Sequence, residues 1–188
     1  MRMSIPIAAI VLSLCIASPA ATVEWSPNPS CSVIKRNPEG LYPPALKALR
    51  DISADHRITQ TIDKSTEPGN YHGTDAIIEG NSYTGAVDMS VRCLSEDQIR
   101  RFLSSLANNG FVAWYRKPDT DGWKGPSHIH AVWVSDPLKP RLRGQVASWL
   151  KGHNGLVPNL SYAFWQPTEQ EKAMIAKAYD ASPNSNQK

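Results

Sequence analysis

The chain predicts an α+β domain in which a small, mostly antiparallel sheet is flanked by helices. Apolar residues recur at helical spacing in four separated stretches and alternate at period two in several others. The stretches run helix, strands, helix, strand, strand, helices, without the strand-helix alternation whose crossovers a parallel sheet needs. A length of 188 residues, 41% hydrophobic and 20% charged, suits one core rather than two.

Residues 1–20 read as a secretory signal, with Arg2 near the start, an apolar run from Ile5 to Ile16, and Ser18-Pro19-Ala20 as a small-residue cleavage site. The run is too short to span a bilayer comfortably, so the expectation is a secreted or periplasmic protein without stable membrane insertion. The domain then covers residues 21–181, and the polar stretch 182–188 is expected to be a flexible tail. Cleavage leaves Cys31 and Cys93, an even pair without metal-ligand spacing, which in an oxidising compartment predicts a disulfide. The formal charge of +3 is mild, and no basic run interleaved with aromatics points to nucleic acid.

Pro43-Pro44 suits the first turn of a helix, and Ala45, Leu46, Leu49 and Ile52 give it an apolar face. Arg57 to Ile62 alternates as a strand does, and Lys64 to Gly73 has the turn chemistry of a loop. Ala76 to Glu79, a Gly80-Asn81 turn and Ser82 to Val91 read as a hairpin. Its second strand sets Ala86, Asp88 and Ser90 on one face and Val87, Met89 and Val91 on the other. Ser95 with Gln98 forms a capping box for a helix with stripe Ile99, Phe102, Leu103 and Leu106, ended by Asn109-Gly110. Phe111 to Tyr115 is a strand, and Lys117 to Gly122 a polar loop. Asp136-Pro137 is expected to open a helix carrying Leu142, Val146, Trp149 and Leu150. Thr168 with Glu171 caps a last one carrying Met174, Ile175 and Tyr179.

Chemistry concentrates where Gly125-Pro126-Ser127 leads into His128-Ile129-His130-Ala131-Val132-Trp133-Val134. Residues two apart on a strand share a face, so His128 and His130 project together. Asp88, in the middle of an apolar strand, needs a cation, a set of donors or a metal, because an unpaired buried carboxylate is costly. Arg92 and Arg116 are alternative partners for it. With His72 from the preceding loop, these groups match a hydrolytic Zn2+ site, which takes three nitrogen and oxygen ligands and keeps a position for water. A solvated loop histidine is the plainer reading of His72. Trp114, Trp123, Trp133, Trp149 and Trp165 are core candidates, of which Trp123, in a Gly-flanked loop, could line a cleft.

Tyr83-Thr84-Gly85-Ala86-Val87-Asp88-Met89, the helix Ile99 to Leu106, Asn109-Gly110-Phe111 and Ser127-His128-Ile129-His130 resemble the secreted zinc peptidases of the D-alanyl-D-alanine carboxypeptidase and hedgehog group. The resemblance spans roughly residues 72 to 134. It implies a small α+β metallopeptidase domain acting by metal-activated water on peptide or peptidoglycan substrates, here taken as a monomer. Asp88 and His130 correspond to metal ligands, His72 to the remaining one, and His128 to a catalytic group that moves protons or stabilises the oxyanion. Two departures stand out: Asn81 occupies the position seven before the aspartate, where the family carries its first histidine, and Ser127 stands where a glutamate base is expected. Asp121, Asp119 or Glu79 is then the candidate catalytic base, and Arg116 and Trp123 are the candidate substrate-binding residues. A secreted binding or structural module on the same fold, without catalysis, is the alternative.

Overall fold

The computed structural model describes residues 38–63, 70–120 and 122–186. Cys31, Asp121 and the signal segment lie outside the described residues. Helix α1 (Pro43–Asp51) begins on its two prolines and buries Ala45 and Leu49, four residues apart on one face. A four-stranded antiparallel sheet follows, built from β1 (Ile58–Gln60), β4 (Ala86–Met89), β6 (His128–Trp133) and β5 (Phe111–Arg116), in that spatial order. Helices α2 (Glu96–Asn108), α3 (Pro140–Leu150) and α4 (Glu169–Asp180) complete the α+β domain. No helix among the described residues is long and apolar enough to cross a membrane.

Alternation along the strands divides the core in two. Val87, Met89, Phe111, Ala113, Ile129 and Ala131 pack with α1 and with the stripe Ile99, Phe102, Leu103 and Leu106 of α2. Ala86, Val112, Trp114 and Val132, facing the other way, pack with Leu142, Val146 and Trp149 of α3 and Ile175 of α4. Both capping boxes form: Ser95 with Gln98 on α2 and Thr168 with Glu171 on α4. Gly110 ends the α2 turn at φ +87°, and a Cβ there would stand 2.7 Å from the Trp133 ring.

Five expectations need correction. The expected strand from Ser82 to Val91 is two strands: β3 (Asn81–Tyr83) pairs with β2 (Ala76–Ile78) in a separate hairpin, and β4 joins the main sheet. The break falls at Thr84-Gly85 because the buried Asp75 carboxylate accepts from the Gly85 N–H at 2.7 Å and from the Thr84 hydroxyl at 3.3 Å. The hairpin turn is Glu79-Gly80, both at positive φ, one residue earlier than Gly80-Asn81.

Helix α3 opens at Pro140 rather than Asp136. Residues 134 to 138 are held outside the helix by side-chain hydrogen bonds: the Asp136 carboxylate accepts from Trp133 Nε1, the Pro137 carbonyl from the Tyr42 hydroxyl, and the Leu138 N–H donates to Asn184. The same Asn184, buried, donates to the Val134 and Asp136 carbonyls, so the chain from Ser182 to Asn184, expected to be loose, is anchored. Met174, expected in the α4 stripe, is 41% exposed, whereas Ile175 is buried.

Candidate metal centre

Register places the chemistry. Asp88 of β4 lies opposite His130 of β6, which lies opposite Trp114 of β5; two pairs further along, His128 faces Arg116. Asp88, His128, His130, Trp114 and Arg116 therefore share the α3 side of the sheet. Asp88 Oδ1 is 2.9 Å from His130 Nδ1, and Asp88 Oδ2 is 3.7 Å from His128 Nε2.

His72 reaches the same point from outside the sheet. Its peptide carbonyl accepts from the Asp63 N–H at 2.8 Å, which folds the loop back along the continuation of β1. The His72 N–H donates to the Asn70 side chain, and its ring Nδ1 lies 2.8 Å from the Thr61 carbonyl. Further along the loop, Lys139 Nζ donates to the Gly73 carbonyl at 2.5 Å and its N–H to Asp75 at 3.2 Å. With the loop so held, His72 Nε2 lies 3.2 Å from Asp88 Oδ1. His72, Asp88 and His130 each offer one donor atom within 4.8 Å of the others, and the group is buried.

Hydrogen-bond direction determines what this cluster can hold. A carbonyl oxygen only accepts, so the ring nitrogen beside it carries the proton. His72 Nδ1 donates to Thr61 O, and His128 Nδ1 to Pro126 O at 2.9 Å. His130 Nε2 faces the carbonyl oxygen of Gln145 at 3.0 Å. In the neutral rings the remaining nitrogens, His72 Nε2, His128 Nε2 and His130 Nδ1, present lone pairs towards the Asp88 carboxylate. Lone pairs do not attract a carboxylate; extra protons or a cation must lie between them.

Burial, the largest influence on His130, pushes its imidazolium form down in pKa against the opposing pull of Asp88. Burial also raises Asp88, but when the facing nitrogens of His130 and His72 carry protons their hydrogen bonds and charge outweigh it and hold the carboxylate well below the ordinary range, so the ionised acid requires positive charge at this point. An ionised acid beside a histidine that resists protonation suits a metal cation. The separations of 2.9 and 3.2 Å are shorter than twice a zinc–ligand bond of about 2.1 Å, so Asp88 and the two imidazoles are spaced as residues that would hold one cation. The donors that face away are themselves tied to oxygen acceptors, the arrangement that orients metal-ligating histidines.

The cluster opens into a cavity of about 180 Å³ that Arg116, Trp123 and His128 also line, so the substrate-binding candidates and the proton-transfer candidate meet at the ligand set. Arg116 is buried, donates to the Asn154 carbonyl at 2.8 Å and lies over the Trp114 ring. Trp123 meets the His128 ring edge-on at 4.9 Å. Asp119 and Glu79, both exposed and at positive φ, do not line the cavity. Asp121 lies outside the described residues.

Sequence reasoning missed Gln145, Tyr71, Gln60 and Leu156, which line the same cavity. Gln145 had a signal: with Leu142, Val146 and Trp149 it forms the buried stripe of α3, a polar residue at an apolar position. Gln60 lies opposite Asp88 in the β1–β4 pairing, but a shift of register at that point hides it from simple alternation. Compared with models of protein families, with characterised proteins and with solved structures, the chain matches none.

Proposed function

We propose that this is an exported, zinc-dependent peptidase-like domain with the fold of the D-alanyl-D-alanine carboxypeptidase and hedgehog group, acting on cell-wall or other short peptides. The observation that supports it most is the convergence of two buried imidazoles and one carboxylate, with one ligand atom each within 4.8 Å of the others, in the lining of a cavity. His72, Asp88 and His130 would hold the ion. The chemistry that zinc would supply there is a water of lowered pKa and a polarised substrate carbonyl.

The chain's own residues account for the rest. His128, whose side chain keeps 15% of its exposure, offers the Nε2 lone pair on the open side of Asp88. It is placed to accept a proton from the attacking water and return it to the leaving amine. Arg116 supplies positive charge on the cavity wall for a peptide carboxylate, and Trp123 supplies an apolar face beside His128.

Asp88 is the only carboxylate among the described residues that line the cavity, which favours the second reading, a binding module on the same fold without catalysis. One experiment separates the two. Purified protein is assayed for bound zinc by mass spectrometry and for amine release from peptidoglycan stem peptides, with and without chelator. Stoichiometric zinc and chelator-sensitive release support the peptidase. Binding to peptidoglycan that chelator leaves unchanged, with no release, supports the module. Zinc content equal in wild type, Asp88→Ala and His130→Ala removes the metal centre from both.

A further inference from the structure

We propose that Gln145 is a positioning residue of the metal centre, one that selects the Nε2–H tautomer of His130 and so turns the Nδ1 lone pair towards Asp88 and His72. The inference rests on the metal-centre reading and adds to it a residue on a different element.

Gln145 projects from α3 onto the sheet face that carries His130 and is 3% exposed. Its Oε1 lies 3.0 Å from His130 Nε2, and its Nε2 donates to the Gly155 carbonyl at 3.4 Å. That second contact orients the amide: the NH2 end goes to the carbonyl, which leaves the oxygen for the histidine. An oxygen that only accepts requires the proton on His130 Nε2, and a neutral imidazole has one proton. Nδ1 is then left with its lone pair, 2.9 Å from Asp88 Oδ1.

Packing keeps the glutamine in place. Gly155 sits at φ +66°, so close that a Cβ on it would be 3.4 Å from Gln145 Cγ and 3.1 Å from Trp114. Trp114 also stacks on the His130 ring, at 6.2 Å and 24°. A leucine at position 145 would satisfy the apolar stripe of α3 as well as the glutamine does, so the amide is explained by what it holds rather than by the core.

The test compares wild type, Gln145→Leu and Gln145→Glu. Zinc affinity is measured by competition with a chromophoric chelator, the fold by circular dichroism, and the His130 tautomer by ring 15N chemical shifts in zinc-free wild type. The expected results are an Nε2–H His130 in wild type, zinc affinity weaker by about 10- to 100-fold in folded Gln145→Leu, and near wild-type affinity in Gln145→Glu, which keeps the acceptor. Unchanged affinity in Gln145→Leu overturns the proposal, as does an Nδ1–H tautomer in wild type, a result that decides the matter even if the leucine variant does not fold. Wild type that binds no zinc overturns the metal-centre reading itself, and this proposal with it.

Discussion

Asp88 and His130 are opposed directly across the β4–β6 pairing, with carboxylate Oδ1 and ring Nδ1 2.9 Å apart. Because the ladder itself sets this approach, the pair is held by backbone hydrogen bonds on both sides and needs no loop to order. His72 and His128 then close on the same carboxylate from a folded-back loop and from the mouth of β6.

The first prediction separates holding from reacting. His128→Ala is expected to keep bound zinc while peptide turnover falls by about 10²- to 10⁴-fold, the usual contribution of a positioned acid or base. His72→Ala is expected to lose zinc. Metal analysis and amine release on the same samples decide it; loss of zinc in His128→Ala would make that residue a ligand instead.

The second concerns the latch beneath His72. The buried Asp75 accepts from Gly85 and Thr84 and from the Lys139 N–H, and Lys139 reaches on to Gly73, next to His72. Asp75→Ala leaves these donors unpaired at about 1 to 3 kcal/mol and frees the loop, so both stability and zinc affinity are expected to drop. Urea denaturation and chelator competition measure the two effects. Unaltered affinity in a destabilised variant would restrict Asp75 to a structural role.

Acid should destabilise the zinc-free protein in two stages. Burial lowers His130 below its unfolded value of about 6.5, so its contribution is present above that pH and is lost as pH falls below it. Asp88 is depressed too, and its contribution is lost only further down, below the unfolded carboxylate value of about 3.9. Melting temperature against pH should therefore begin to decline near pH 6.5 in wild type and be flatter there in His130→Gln. Parallel profiles would count against His130 as the source.

At Gly110 a side chain meets both a left-handed backbone and the Trp133 ring. Gly110→Ala is expected to cost about 1 to 3 kcal/mol, measured by chemical denaturation, with zinc affinity retained because the α2–β5 turn lies away from the site. A neutral substitution would show that the turn relaxes freely.

The Cys31–Cys93 disulfide remains an expectation of the exported reading. Peptide mapping without reductant should recover the two cysteines in one linked fragment, and Cys93→Ser should lower stability by about 2 to 5 kcal/mol. Recovery of both residues as free thiols from secreted protein would remove the link.

The sequence alone determined the parts whose causes are local. The α+β class, the α2 and α4 capping boxes, the buried stripe of α2 and the shared face of His128 and His130 all depend on residues a few positions apart, where period and hydrogen-bond reach decide. Tertiary structure decided what depends on distant partners. Asp75 splits one apparent strand into two, and Asn184 and Tyr42 hold residues 134 to 138 out of the helix that Asp136-Pro137 seemed to open. It also brought His72 to Asp88 across sixteen residues and placed Gln145 behind His130, because the loop carbonyl at Thr61 and the packing of α3 on the sheet exist only once the chain has folded.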